Sequence, residues 1–221
     1  GYALTEDEEE ADVIVINTCA VREHAEMRVL GNVGALVHTK RAKPDQIICL
    51  CGCMAQRSEV AEKVRKSYRH VDLVFGPQAM WKFPELLWQV YDRRKRVFSV
   101  ADEHGTIAEG IPVVREKGVK AFVSIMYGCN NFCSYCIIPT ARGRSRSRTL
   151  EDLAAELRGI KAAGYREVVL VGINFCCYGP DIGKHFTDPI ELACSMGFDR
   201  VRIGSLEFDN IGPEAIEKMA K

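Results

Sequence analysis

Three short apolar runs, at residues 13–16, 47–51 and 71–75, place the strongest limit on how this chain can fold. Each is rich in β-branched or aliphatic side chains and reads as a strand buried on both faces, because a half-exposed strand would alternate apolar with polar. Helical spacing follows each run. Val21, Ala25, Val29, Val33 and Leu36 predict a helix over 20–40, despite Gly31 and Gly34. A weaker helix is predicted over 58–68, and Pro84 opens another over 85–94 with Leu86, Leu87 and Val90 apolar. Such alternation argues for a parallel sheet covered by helices, a three-layer α/β unit.

The pattern dissolves over 101–118, a Gly-, Glu- and Pro-containing stretch that reads as a linker, and then resumes. Strands are predicted at 120–126, 167–171 and 200–205, and helices at 149–163, 186–195 and 213–220. Thr149 caps the first of these helices, Glu151 and Asp152 fill its first turn, and Gly164 stops it. The expected organisation is α/β throughout. Residues 1–100 form an N-terminal three-layer parallel α/β domain, 101–118 connect, and 119–221 form the first half of a (β/α) partial barrel. A closed eight-unit barrel takes about 250 residues, so the second domain is expected to be incomplete here. Gly1 is not an initiator Met, which leaves the true N-terminus open.

Thirty basic side chains balance thirty acidic ones, which excludes a generally basic nucleic-acid coat but not a local basic patch. No targeting peptide is visible, and the longest nearly apolar stretch, 47–55, is too short to cross a bilayer. No membrane partner is expected, and the location is read as cytoplasmic. Eight of the ten cysteines cluster, at Cys49, Cys51 and Cys53, at Cys129, Cys133 and Cys136, and at Cys176 and Cys177. Clustering without a secretory signal favours metal or cluster ligation over a disulfide framework.

The most specific signal is Gly128-Cys129-Asn130-Asn131-Phe132-Cys133-Ser134-Tyr135-Cys136, directly after a predicted strand. Three thiolates can hold three irons of a [4Fe–4S] cluster and leave the fourth open, as a catalytic centre requires. A structural zinc site would want a fourth ligand, for which Tyr135 and Asn130 are poor candidates. Cys49 and Cys51 read as strand-packing residues. The five histidines show no spacing that points to a metal site.

This segment, with Ile137-Ile138-Pro139, Arg142-Gly143 and Arg146-Ser147-Arg148, resembles the radical S-adenosylmethionine methylthiotransferases. Asn17-Thr18-Cys19-Ala20-Val21-Arg22 and Cys51-Gly52-Cys53-Met54-Ala55-Gln56 agree with the same family. The resemblance implies that Cys129, Cys133 and Cys136 hold a [4Fe–4S] cluster whose open iron chelates S-adenosyl-L-methionine. It implies a partial barrel of the radical SAM type, and reductive cleavage of that cofactor to a 5′-deoxyadenosyl radical. It also implies a second, auxiliary [4Fe–4S] cluster, of whose three ligands Cys19 and Cys53 match and the first would precede Gly1. Cys19 and Cys53 each follow a predicted strand, so the fold should bring them to one rim.

Further contacts are expected from Arg142 and Arg148, within an alternating run with Arg144 and Arg146, to the cofactor or to RNA phosphate. Asn174, after the second barrel strand, and Glu207, after the third, are expected to contact cofactor or substrate. No catalytic residue is assigned beyond the cluster ligands, and Cys176 and Cys177 read as bystanders. The implied reaction adds a methylthio group to C2 of N6-isopentenyladenosine beside the anticodon of tRNA. Its partners are the tRNA anticodon stem-loop, an electron donor of the flavodoxin or ferredoxin type, and an unidentified sulfur source. The Gly172 and Ser205 neighbourhoods pull instead towards N6-threonylcarbamoyladenosine, and an aspartate of a ribosomal protein fits less well. The competing reading is a cluster- or zinc-binding regulatory module that binds RNA without turnover.

Overall fold

A computed structural model describes residues 2–20, 23–100, 107, 109–111 and 113–220, with side chains of 23–25 outside the description. The chain divides into two compact units, Gly1–His104 with Tyr135–Arg142, and Gly105–Ser134 with Gly143–Lys221.

The first unit runs β1 (Val13–Thr18), α1 (Glu23–Ala35), α2 (Val37–Ala42), β2 (Ile47–Gly52), α3 (Ser58–Ser67), β3 (Leu73–Phe75), a 3-10 helix (Pro77–Lys82), α4 (Phe83–Arg93) and β4 (Val97–Ser99). The four strands form one parallel sheet in the order β1-β2-β3-β4. Two apolar layers sandwich it, because successive strand residues face opposite ways. Ile48, Leu50 and Val74 pack with Leu30, Val33, Val60 and Val64 on one face. Ile47, Cys49, Cys51, Leu73 and Phe75 meet Leu86, Leu87 and Val90 of α4 on the other. β2 is buried along its whole length.

Three details depart from the sequence expectation. β1 is an edge strand, so Val15 is 47% exposed where a doubly buried strand was expected. The helix expected over 20–40 is two helices that part at Leu36, whose ψ of −7° loosens the ladder just after the two glycines; residues 21 and 22 lie outside the described residues. β4 was not anticipated, since three residues behind a run of four cations carry no period. It is fixed from behind by Arg96, whose guanidinium donates to the carbonyls of Val64, Arg65, Tyr68 and Val71. Those are carbonyls at and beyond the C-terminal end of α3, where the helical ladder runs out.

The second unit is built on β5 (Lys120–Ser124), with β6 (Met126–Tyr127) after it. α5 (Ile138–Arg142), in the segment grouped with the first unit, precedes β7 (Arg146–Ser147), α6 (Leu150–Ala162), β8 (Glu167–Val171), α7 (Asp188–Ser195), β9 (Arg200–Ile203) and α8 (Pro213–Met219). β5, β8 and β9 form a parallel sheet in the order β5-β8-β9. Ala121, Val123, Val168 and Leu170 pack against Leu153, Leu157 and Ile160 of α6. Thr149 accepts from the Asp152 amide at 3.2 Å, and Gly164 ends the turn after α6 at φ +88°. The strand expected over 120–126 is split, because Met126 and Tyr127 leave the sheet to pair antiparallel with Ser147 and Arg146. The fold is α/β in both units. Among the described residues, no helix is long and apolar enough to cross a membrane.

Candidate functional site

In the first unit the register of β1 on β2 sets Thr18 opposite Gly52, so the residues that follow, Cys19 and Cys53, leave neighbouring strand ends together. The turn is held by Cys53 N donating to Thr18 O at 3.1 Å and by Thr18 Oγ1 donating to Cys51 O at 2.5 Å. Gly52 sits at φ +96°, and a Cβ there would lie 2.3 Å from Thr18 O. Only glycine takes this place. The same turn ends the strand alternation, so Cys53 parts from Cys49 and Cys51. Those two are buried against α4, and burial pushes their thiols up to about 12 and about 11. Neutral, desolvated thiols are poor metal ligands. Cys19 is exposed and Cys53 is buried at 4%. Arg142 Nε, at the end of α5, donates to Cys53 Sγ at 3.1 Å.

In the second unit the thiol loop leaves β6 through Gly128, at φ +75°, where a Cβ would stand 2.0 Å from Arg144 O. Cys129 N donates to Gly143 O at 3.1 Å and Ser145 N to Asn130 Oδ1 at 3.0 Å. Arg144 lies over the Phe132 ring at 4.2 Å. Cys129 is buried, Cys133 exposed and Cys136 half-buried. Glu207, after β9, accepts from Asn131 Nδ2 at 2.7 Å, Asn174 Nδ2 at 2.7 Å and Asn210 Nδ2 at 2.6 Å. These bonds hold its carboxyl below the usual carboxylate range, the Asn131 bond first among the causes. Asn174 is buried, and its Oδ1 has no partner. Arg148 is turned inward: its guanidinium pairs with Asp152 and Glu156 and donates to Ser124 O.

Residues 123–221 match the radical SAM superfamily, and residues 1–76 match the family described as "Uncharacterized protein family UPF0004". A protein named tRNA-2-methylthio-N(6)-dimethylallyladenosine synthase from Acetivibrio thermocellus is 44% identical over 99% of this chain and 46% of its own length. One of the same name from Staphylococcus haemolyticus is 48% identical over 100% of this chain and 44% of its own. A third, from Caldicellulosiruptor saccharolyticus, is 46% identical over 99% and 47%. The chain belongs to the radical S-adenosylmethionine methylthiotransferase family. It spans about half the length of the curated relatives it matches.

Membership in the radical SAM superfamily implies a [4Fe–4S] cluster and S-adenosylmethionine for residues 123–221. The donor chemistry of the loop fits that cluster. Between Gly128 and Cys136 the strong ligands are three thiols, and the other polar side chains are amides, a hydroxyl and a phenol. All ten cysteines are free, so none is tied in a disulfide. Among the described residues no three His, Cys, Asp or Glu side chains are gathered closely enough to hold one metal ion. Sequence reasoning had named Cys129, Cys133, Cys136, Cys19, Cys53, Asn174, Arg142, Arg148 and Glu207. It missed Asn131 and Asn210 as partners of Glu207, and the Arg142–Cys53 contact. An alternating arginine run reads as solvated or anion-binding, and nothing in it signals a thiol as partner.

Proposed function

We propose that this chain is the cluster- and cofactor-holding part of an enzyme that adds a methylthio group to C2 of N6-isopentenyladenosine beside the anticodon of tRNA. The observation that carries the reading is the thiol loop at the C-terminal side of a parallel sheet, in a chain 44% identical over 99% of its length to a synthase named for that product. Reactive groups gather at that side of α/β folds. Cys129, Cys133 and Cys136 hold the cluster that takes S-adenosylmethionine, and Cys19 and Cys53 supply two ligands of a second [4Fe–4S] cluster. When bound, these groups supply one-electron reduction and a carbon radical able to remove hydrogen from an unreactive C–H. Gly128 and Gly143 hold the start of the thiol loop against the chain that follows α5. Asn174 presents a buried carboxamide acceptor. Gly52 brings the chain after β2 beside the chain after β1.

The division at 1–100, 101–118 and 119–221, the cytoplasmic location, the anticodon stem-loop as substrate and a flavodoxin- or ferredoxin-type donor belong to the same proposal. Anaerobic reconstitution of the full-length protein tests it. Iron and acid-labile sulfide at the loop, with cleavage of S-adenosylmethionine to 5′-deoxyadenosine, are expected. Stoichiometric zinc without cleavage would favour a regulatory RNA-binding module. Mass spectrometry of tRNA nucleosides from a strain lacking the gene is expected to show loss of the methylthio mark on isopentenyladenosine. Loss on threonylcarbamoyladenosine alone would reassign the substrate, a reading that Ser205-Leu206-Glu207 favours.

A further inference from the structure

Three separate loops meet on a single oxygen. Glu207 Oε2 accepts Asn131 from the thiol loop, Asn174 from the loop after β8, and Asn210 from the turn after β9, all within 2.6–2.7 Å. A carboxylate has no proton to give, so each amide must present its NH2 end to it. That fixes the orientation of the Asn174 carboxamide and turns its oxygen away from Glu207. The oxygen is buried and without a partner, in a residue only 6% exposed. A buried acceptor left unpaired is destabilising, and a ligand with an N–H or O–H donor would relieve it. The backbone supports the same junction. Phe175 N donates to Ser205 O at 3.1 Å, and Ser205 is held at φ +59°, a conformation a non-glycine residue keeps only when its surroundings impose it. The vicinal thiols close the knot, Cys176 Sγ to Glu207 O at 3.6 Å and Cys177 Sγ to Asn131 Oδ1 at 3.9 Å.

We infer that Glu207 is a positioning residue, not itself a cofactor contact: through Asn131 it sets the thiol loop, and through Asn174 it aims a buried carboxamide oxygen at a donor group of the adenosyl cofactor. Asn131 stands between Cys129 and Cys133, so a tether on its side chain restricts the arc on which both sulfurs are carried. Freed from Glu207, the Asn174 amide can rotate and present NH2 where an acceptor is needed. The inference rests on the reading of Cys129, Cys133 and Cys136 as cluster ligands.

The test is a double-mutant cycle on S-adenosylmethionine binding by the full-length protein, reconstituted anaerobically. Glu207→Ala and Asn174→Ala are each expected to weaken binding about tenfold, and the double variant no more than about twofold beyond either. Asn131→Ala and Glu207→Ala are expected to alter the electron paramagnetic resonance spectrum of the reduced cluster before cofactor is added, while Asn174→Ala leaves it unchanged. Glu207→Gln, which keeps the length and an acceptor oxygen, is expected to restore most of the affinity and serves should the alanine variant not fold. Losses that multiply in the double variant would make Glu207 a direct contact and overturn the inference. So would unchanged binding in Glu207→Ala with the wild-type spectrum, or binding by Glu207→Gln as weak as that expected of Glu207→Ala. Wild-type protein that holds iron yet binds no cofactor would sink the cluster reading and the inference with it.

Discussion

The two candidate thiol sets are assembled by opposite means. Cys129, Cys133 and Cys136 are kept near one another by sequence alone, on one short loop. Cys19 and Cys53 are distant in sequence and come together only because β1 and β2 pair in parallel with Thr18 opposite Gly52. The first arrangement depends on local spacing. The second depends on strand register, and a fault anywhere along β1–β2 would disperse it.

The difference can be broken first at the ligands. Cys129→Ala, Cys133→Ala or Cys136→Ala should remove roughly four irons per chain and abolish cleavage of S-adenosylmethionine. Cys19→Ala or Cys53→Ala should spare that cleavage and remove a separate complement of iron. Iron counts and 5′-deoxyadenosine yield read both, and joint loss in every variant would mean that the sets are not independent. The next largest effect is expected from Gly52→Ala. It forces a side chain into a left-handed conformation and 2.3 Å from a backbone oxygen, at a cost of about 3 kcal/mol or more. A lowered unfolding midpoint should come with loss of the Cys19/Cys53 iron alone.

These contrasts also explain what could be read from the sequence. The thiol loop, the Thr149-capped helix, the strand at 167–171 and the first four residues of the strand expected over 200–205 were legible because their signals are local: spacing, cap chemistry, β-branched runs. The Asn131–Glu207 and Arg142–Cys53 contacts were not, because they join residues far apart in the chain and leave no periodic trace. Cys49 and Cys51 occupy an intermediate place. That they share one face follows from alternation in β2, but their separation from Cys53 turns on one backbone angle at Gly52.

A smaller effect tests that separation. Cys49 is raised from 9.0 to about 12, chiefly by burial and then by Asp72, and Cys51 from 9.0 to about 11 by burial. Raised values mean that the unfolded chain gives up these protons first. Stability is therefore whole below about pH 9 and is lost as pH rises from there towards 12. At pH 10 the contribution of one such thiol is about 1 kcal/mol. Cys49→Val should flatten the alkaline fall in the urea midpoint between pH 8 and 10. At pH 8, alkylation of folded protein should label exposed Cys19 and Cys133 and leave Cys49 and Cys51 unmodified.

A smaller change in stability, on the order of 1 kcal/mol, is expected from Arg142→Gln, which removes the hydrogen bond to the Cys53 sulfur. Its spectroscopic consequence should be larger than its structural one. Hydrogen bonds to ligand sulfurs draw electron density from an iron–sulfur cluster and raise its reduction potential. With the Nε–Sγ contact of 3.1 Å gone, the potential of the Cys19/Cys53 cluster should fall, its iron content staying constant. The potential of the Cys129/Cys133/Cys136 cluster should not move. Arg142→Lys keeps the charge without the planar fork and should fall between the two. A redox titration followed by electron paramagnetic resonance separates the outcomes. Equal shifts at both clusters would mean that Arg142 acts through long-range charge, and no shift at either would reduce it to packing beside a thiol.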